Sequence, residues 1–162
     1  MRRILITGMS GVGKSTVIRE LQRRGYEAVD LDQPGWSHYR LPDPDGPVAG
    51  NGEEWMWDED RVSELLDREG DGDLFVSGCS SNQGRFYPRL DRVILLSTSW
   101  KVMSERLANR TNNDFGKDPA ERAKIQADKA EIEPLLRRGA DVEIDAGRPL
   151  DEVIDEILAA TT

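Results

Sequence analysis

Residues 8 to 16 read Gly8-Met9-Ser10-Gly11-Val12-Gly13-Lys14-Ser15-Thr16. Glycines at 8, 11 and 13 let the backbone curl until successive N–H groups point at one centre, where they can hold an anion. The spacing G-x-x-x-x-G-K-S adds an ammonium and a hydroxyl to that cradle. The ammonium suits the outer two phosphates of a nucleoside triphosphate, and the hydroxyl suits Mg2+. The expected cofactors are therefore ATP and Mg2+. Met9, Ser10, Gly11, Val12, Gly13, Lys14, Ser15 and Thr16 are the candidate ATP contacts, Lys14 the candidate catalytic cation and Ser15 a candidate metal contact.

Other residues could serve a transfer reaction. Asp32 closes the run Asp30-Leu31-Asp32 and is the candidate base, because phosphoryl transfer needs a carboxylate to orient the attacking hydroxyl. Arg106 and Arg110 share a helical face by their i,i+4 spacing and could stabilise charge on the transferring group. Trp36, Tyr39, Arg40, Trp55 and Trp57 crowd one segment, where the rings would either stack an acceptor or cap the sheet edge. Arg40, Arg61 and Arg85 are candidate substrate contacts. His38, the single histidine, is expected to pack rather than catalyse. Cys79 lacks a ligand-spaced partner and reads as structural.

Positioning these groups calls for alternating strands and helices. Five β-rich runs cover 4–7, 27–31, 74–77, 92–97 and 141–144. The first, third and fourth are nearly continuous apolar runs, the mark of strands buried on both faces of a parallel sheet. Helical patterns between them carry Val17, Ile18 and Leu21 before Gly25; Val62, Leu65 and Leu66 behind Asp58-Glu59-Asp60; and Val102, Met103 and Leu107 after Ser99. A last helix opens at Pro149. The class is α/β, with helices on both faces of the sheet.

The chain has 162 residues, 37% hydrophobic and 33% charged, which fits one globular domain over 1–162. No apolar run reaches the length of a membrane helix. A net charge of −9 opposes nucleic-acid binding, and the single cysteine suits a reducing cytoplasm. The expected partner is a small-molecule acceptor, with no nucleic acid and no membrane, and the chain a monomer or homodimer.

On its G-x-x-x-x-G-K-S run, its Asp30-Leu31-Asp32 and its Ser77-Gly78-Cys79-Ser80 turn, the chain resembles the P-loop kinases of small molecules, the group of shikimate, gluconate and nucleoside monophosphate kinases. The resemblance implies a three-layer P-loop NTPase fold with a five-stranded parallel sheet in the order 2-3-1-4-5. It also implies a substrate-binding insert at about 33–68 and a LID at about 110–122. Asp30 would help organise Mg2+, Asp32 would hold the acceptor hydroxyl and Gly78 would lie in the substrate turn. Arg110 and Arg148 would flank adenine. The LID lacks R-P-L-L and the third strand lacks D-G-[FY]-P-R, so neither shikimate nor AMP is the expected acceptor.

The function expected is ATP-dependent transfer of the γ-phosphoryl group to a hydroxyl of a metabolite or antibiotic-like molecule. The alternatives are a nucleoside or nucleotide kinase and a non-catalytic ATP-binding regulator. A GTP switch would need [NT]-K-x-D, which is absent. The D-x-x-G match at Asp43-Pro44-Asp45-Gly46 reads as a turn.

Overall fold

The computed structural model describes residues 1–40, 54–110 and 116–161, at Arg40 the backbone alone. The Asp43–Gly46 turn and residues 111–115 of the expected LID lie outside these residues.

Strands β1 (Arg2–Thr7), β2 (Glu27–Asp30), β5 (Asp73–Ser77), β6 (Arg92–Ser97) and β7 (Val142–Asp145) form one parallel sheet in the order β2-β5-β1-β6-β7. Numbered without β3 (Ser37–Arg40) and β4 (Glu54–Trp57), which pair apart from this sheet, this is the expected 2-3-1-4-5. Helices α1 (Lys14–Arg23), α2 (Glu59–Leu66), α3 (Trp100–Asn109), α4 (Pro119–Gly139) and α5 (Leu150–Thr161) flank it.

Strand alternation sorts the core. Ile4, Ile6, Phe75, Ile94 and Leu96 face α1 and α5, meeting Val17, Ile18, Leu21, Val153, Ile154 and Ile157. The intervening Leu5, Leu74, Val76 and Val93 face α2, meeting Val62, Leu65 and Leu66. Under α3 and α4, Leu95 packs with Met103, Leu107, Ile125 and Leu136. Each such side chain, fully buried, contributes about 1.5–3 kcal/mol.

The caps hold as the sequence indicates. Asp58 accepts from Arg61 N at the start of α2, and Ser99 accepts from Val102 N at the start of α3. Gly25, at φ 91°, follows α1 in the left-handed turn that ends it.

The insert expected at about 33–68 contains a strand pair that no run in the sequence marks. Strands β3 (Ser37–Arg40) and β4 (Glu54–Trp57) pair antiparallel, with Ser37 opposite Trp57 and Tyr39 opposite Trp55. Each is only four residues long, and the chain between them exceeds a tight hairpin turn, so no short-range signal announces the pairing. Tertiary contacts fix it instead. Ser37 Oγ donates to Leu31 O, Asp58 N donates to Trp36 O at 2.7 Å and Trp57 is 1% exposed. A 3-10 helix at Gln83–Arg89 follows β5 and was likewise not signalled.

Candidate active site

The cradle joins β1 to α1 at the carboxyl edge of the sheet, where open α/β folds bind ligands. Gly11 and Gly13 have φ of 87° and 109°, conformations that side chains rarely adopt. A Cβ on Gly11 would also meet Leu107 Cγ at 2.8 Å. No side chain caps the start of α1, and its first turn holds no acid. The positive end of the helix is thus left for an anion.

Lys14 Nζ donates to Gly8 O at 2.6 Å and Met9 O at 3.1 Å, so the ammonium lies over its own loop. Ser15 Oγ donates to Asp30 Oδ2 at 2.8 Å. That joins the two residues assigned to Mg2+ across α1 and β2. Asp30 also accepts from Asp32 N at 3.0 Å and from Gln33 Nε2, which fixes the carboxylate at the strand end. An ammonium, a hydroxyl and a carboxylate around an uncapped helix start fit a magnesium-bound triphosphate.

Asp32 lies beside this group. Its Oδ1 accepts from Trp55 Nε1 at 3.1 Å and from Cys79 N at 3.3 Å; its Oδ2 accepts from Cys79 N at 3.2 Å. Burial pushes the Asp32 carboxyl above its usual range, while the Lys14 ammonium and the Trp55 bond pull it back. Burial also pushes up the neighbouring Cys79 thiol, against the pull of Lys14 and of a hydrogen bond with Thr7.

Gly78 is the close-approach point of the turn after β5. A Cβ there would stand 2.9 Å from Trp57 Nε1 and 3.0 Å from Asp32 Oδ1. The hairpin is bolted to this turn: Trp57 N donates to Asn82 Oδ1, Asn82 Nδ2 donates to Trp57 O and Ser81 N donates to Trp55 O. Beneath it, buried Gln83 donates to Tyr87 Oη at 2.8 Å and to Thr7 Oγ1 at 3.1 Å, and accepts from Ser80 N at 2.9 Å.

The remaining candidates are distributed around this centre. Arg106 donates to Val12 O at 2.7 Å and Ala146 O at 2.6 Å, tying the cradle to the turn after β7. Arg110 caps α3, and burial lowers its proton affinity against the pull of Glu121. Arg148 pairs with Glu156 at 2.7 Å. On the hairpin side, Arg61 donates to Gly35 O and lies 4.3 Å over the Trp36 ring. Arg85 pairs with Glu59 at 2.8 Å, and Arg40 is the register partner of Glu54. Trp55 stood among the clustered aromatics, but its bond to Asp32 was not foreseen. Asn82 and Gln83 were not among the sequence candidates, and nothing in spacing marks the two amides.

With the cradle and its neighbours in place, residues 4–132 match the AAA domain family. The chain belongs to that family. Over 48 residues this AAA domain is 44% identical to a nucleotide-binding protein of Granulibacter bethesdensis, a match spanning 30% of this chain and 15% of that protein's length. Its fold is similar to that of shikimate kinase from Acinetobacter baumannii in complex with shikimate, with a TM-score of 0.65 and 21% identity over 99% of this chain and 92% of that one. It is also similar to a gluconokinase from Sinorhizobium meliloti, with a TM-score of 0.54 and 20% identity over 99% and 91%. This AAA domain thus has the fold of the P-loop small-molecule kinases. Among the described residues, no helix is long and apolar enough to cross a membrane.

Proposed function

We propose that this AAA domain is an ATP-dependent kinase that moves the γ-phosphoryl group to a hydroxyl of a small molecule. The observation that carries this reading is the Asp32 carboxylate, held by Trp55 and Cys79 N–H groups within the field of Lys14. A regulator that only binds nucleotide has no need of a buried carboxylate at that point. Phosphoryl transfer does need one, to orient the attacking oxygen.

Each residue then has a definite task. The backbone N–H groups of 9–16 cradle the phosphates, and Lys14 exchanges its bonds to Gly8 O and Met9 O for phosphate oxygens. Ser15 and Asp30 would hold Mg2+, which supplies charge neutralisation at the outer phosphates when bound. Asp32 Oδ2 accepts the hydrogen bond of the acceptor hydroxyl and takes its proton as the oxygen–phosphorus bond forms and ADP leaves. A carboxyl already raised by burial is a better proton acceptor than an exposed one. Arg106 keeps the cradle against the turn at 146, and Arg110 stands at the start of the segment expected to close over ATP.

The test is ADP release from Mg-ATP across a panel of hydroxyl compounds, with bound nucleotide measured separately. Stimulation by one chemical group supports the kinase. Nucleotide binding with no stimulation across the panel would count for a regulator.

A further inference from the structure

We infer that Gln83 is a positioning residue: its buried side-chain amide holds the turn at 78–81, and through it the Asp32 carboxylate, in register with the phosphate cradle. The inference rests on the kinase reading, which gives Asp32 its task, and adds what keeps Asp32 at a fixed reach from the triphosphate.

The link can be followed bond by bond. Thr7 ends β1 and immediately precedes Gly8, the first residue of the cradle. Gln83 Nε2 donates to Thr7 Oγ1 at 3.1 Å, and Gln83 Oε1 accepts from Ser80 N at 2.9 Å. Ser80 follows Cys79, whose N–H is donated to Asp32 Oδ1 at 3.3 Å and Oδ2 at 3.2 Å. Ser81 N donates to Trp55 O at 3.0 Å, and the Trp55 indole donates to Asp32 Oδ1 at 3.1 Å. Both donors that hold Asp32 therefore hang from the turn that Gln83 grips.

Backbone pairing alone does not set this turn. Gly78 N donates to Ile6 O at 3.2 Å, and beyond that bond the turn meets β1 through Gln83 and through the Cys79 thiol against Thr7. The neighbouring amide has a different task. Asn82 meets the turn at the Ser80 hydroxyl, 3.0 Å away, and spends its other bonds on the N–H and C=O of Trp57. Asn82 thus docks the hairpin, and Gln83 docks the turn to β1.

An amide suits that place. Gln83 is 3% exposed, and both hydrogens of Nε2 are used, on Thr7 Oγ1 and on Tyr87 Oη at 2.8 Å. A backbone N–H can only donate, so Ser80 fixes which end of the amide faces the turn. Flipping or withdrawing the side chain would leave buried donors unmade, which holds it in one orientation. Gln83 acts on the reacting atoms only through Cys79 N and Trp55. Transfer is sensitive to such placement, because a shift of about 1 Å can cost about 10²-fold in rate.

The experiment compares the wild-type chain with Gln83→Met, Gln83→Glu and Tyr87→Phe. Amide exchange and the Trp55 indole N–H resonance are read by NMR, and turnover by ADP release from Mg-ATP with water as the acceptor. In Gln83→Met, exchange at Cys79 and Ser80 is expected to speed up and the Trp55 resonance to move, while Trp57 and β1 stay protected. Its kcat is expected to fall about 10- to 100-fold with the KM for ATP unchanged. Gln83→Glu keeps an acceptor for Ser80 N, and the Thr7 and Tyr87 hydroxyls can turn to donate to it, so it should recover each readout. Tyr87→Phe removes one bond of the amide but leaves the turn gripped, and should match wild type. Slow exchange at Cys79 and Ser80 in folded Gln83→Met overturns the inference. So does exchange that speeds up equally across β1 and α1, which would make Gln83 an ordinary core residue. An unchanged kcat with those two amides exposed overturns it while leaving the kinase intact. If Gln83→Met does not fold, Thr7→Val cuts the strand end of the same link, and an unmoved Trp55 resonance there overturns the inference. A wild-type chain that binds Mg-ATP yet releases no ADP, to water or to the panel of hydroxyl compounds, overturns the kinase reading, and exchange and resonance then decide the inference alone.

Discussion

Asp32 is where two demands on one side chain meet. Burial disfavours its charge, yet the proposed role as base needs that charge near neutral pH. Two indole and backbone donors and the Lys14 field keep it usable. Asp32→Asn is therefore expected to lower kcat by about 10²- to 10⁴-fold, the usual worth of a general base, with nucleotide affinity unchanged. Lys14→Ala should instead abolish nucleotide binding, so calorimetric titration with ATP separates the two roles. Equal loss of ATP affinity in both variants would contradict the assignment. Gly78 gives a second residue-level prediction. A Cβ there would press on Trp57 Nε1 and Asp32 Oδ1, and overpacking of this kind costs about 1–3 kcal/mol. Gly78→Ala should raise the KM for acceptor more than the KM for ATP in steady-state assays.

At the scale of elements, one amide makes a pair of bonds that ties the hairpin to the turn after β5. Asn82 meets both the N–H and the C=O of Trp57 in a buried setting. Asn82→Ala strands both groups, at about 1–3 kcal/mol for each buried partner left unmade. Amide exchange at Trp57 and Ser81 should speed up while β1 and β6 stay protected; unchanged exchange at Trp57 would mean that Ser37 and Trp57 packing alone dock the hairpin. The same element shows what the sequence could tell. Strands β1, β5 and β6 were legible because burial on both faces leaves continuous apolar runs. The cradle was legible because its glycines, lysine and serine are constrained by local backbone geometry. Asp30 and Asp32 were legible from their place at a strand end. The hairpin, Asn82 and Gln83 were not, because their partners lie elsewhere in the chain: Trp57 is 25 residues from Asn82, and Thr7 is 76 from Gln83. Arg106 shows a similar limit. Its i,i+4 spacing with Arg110 was visible, but its grip on Val12 O and Ala146 O depends on how three elements pack.

Across the whole molecule, charge sets the response to pH through opposing groups. The net charge of −9 repels itself, and that repulsion falls as carboxylates gain protons. Asp32 acts in the same direction. Its folded value lies above the ordinary one, so between the two the folded chain holds the proton more tightly, and stability falls as pH rises through that window. Glu20 and Glu143 act the other way. Hydrogen bonds from Arg23 and Arg24 hold Glu20 down to about 2, and those from Arg137 and Ser97 hold Glu143 down to about 2. Their contribution is complete above the ordinary value of 4.5 and is lost as pH falls toward about 2. Glu143 is exposed, and half-buried Glu20 pairs with Arg23 and Arg24 on the same solvent-facing turn, so each contribution is small. Calorimetry should therefore show Tm rising as pH falls from about 8 to about 5, then dropping below about 4. Asp32→Asn should flatten the upper limb and leave the lower one, whereas Glu143→Gln should soften only the lower one. A Tm that climbs steadily from about 5 to about 8 would contradict the raised folded value of Asp32, because Glu20 and Glu143 are fully ionised throughout that range.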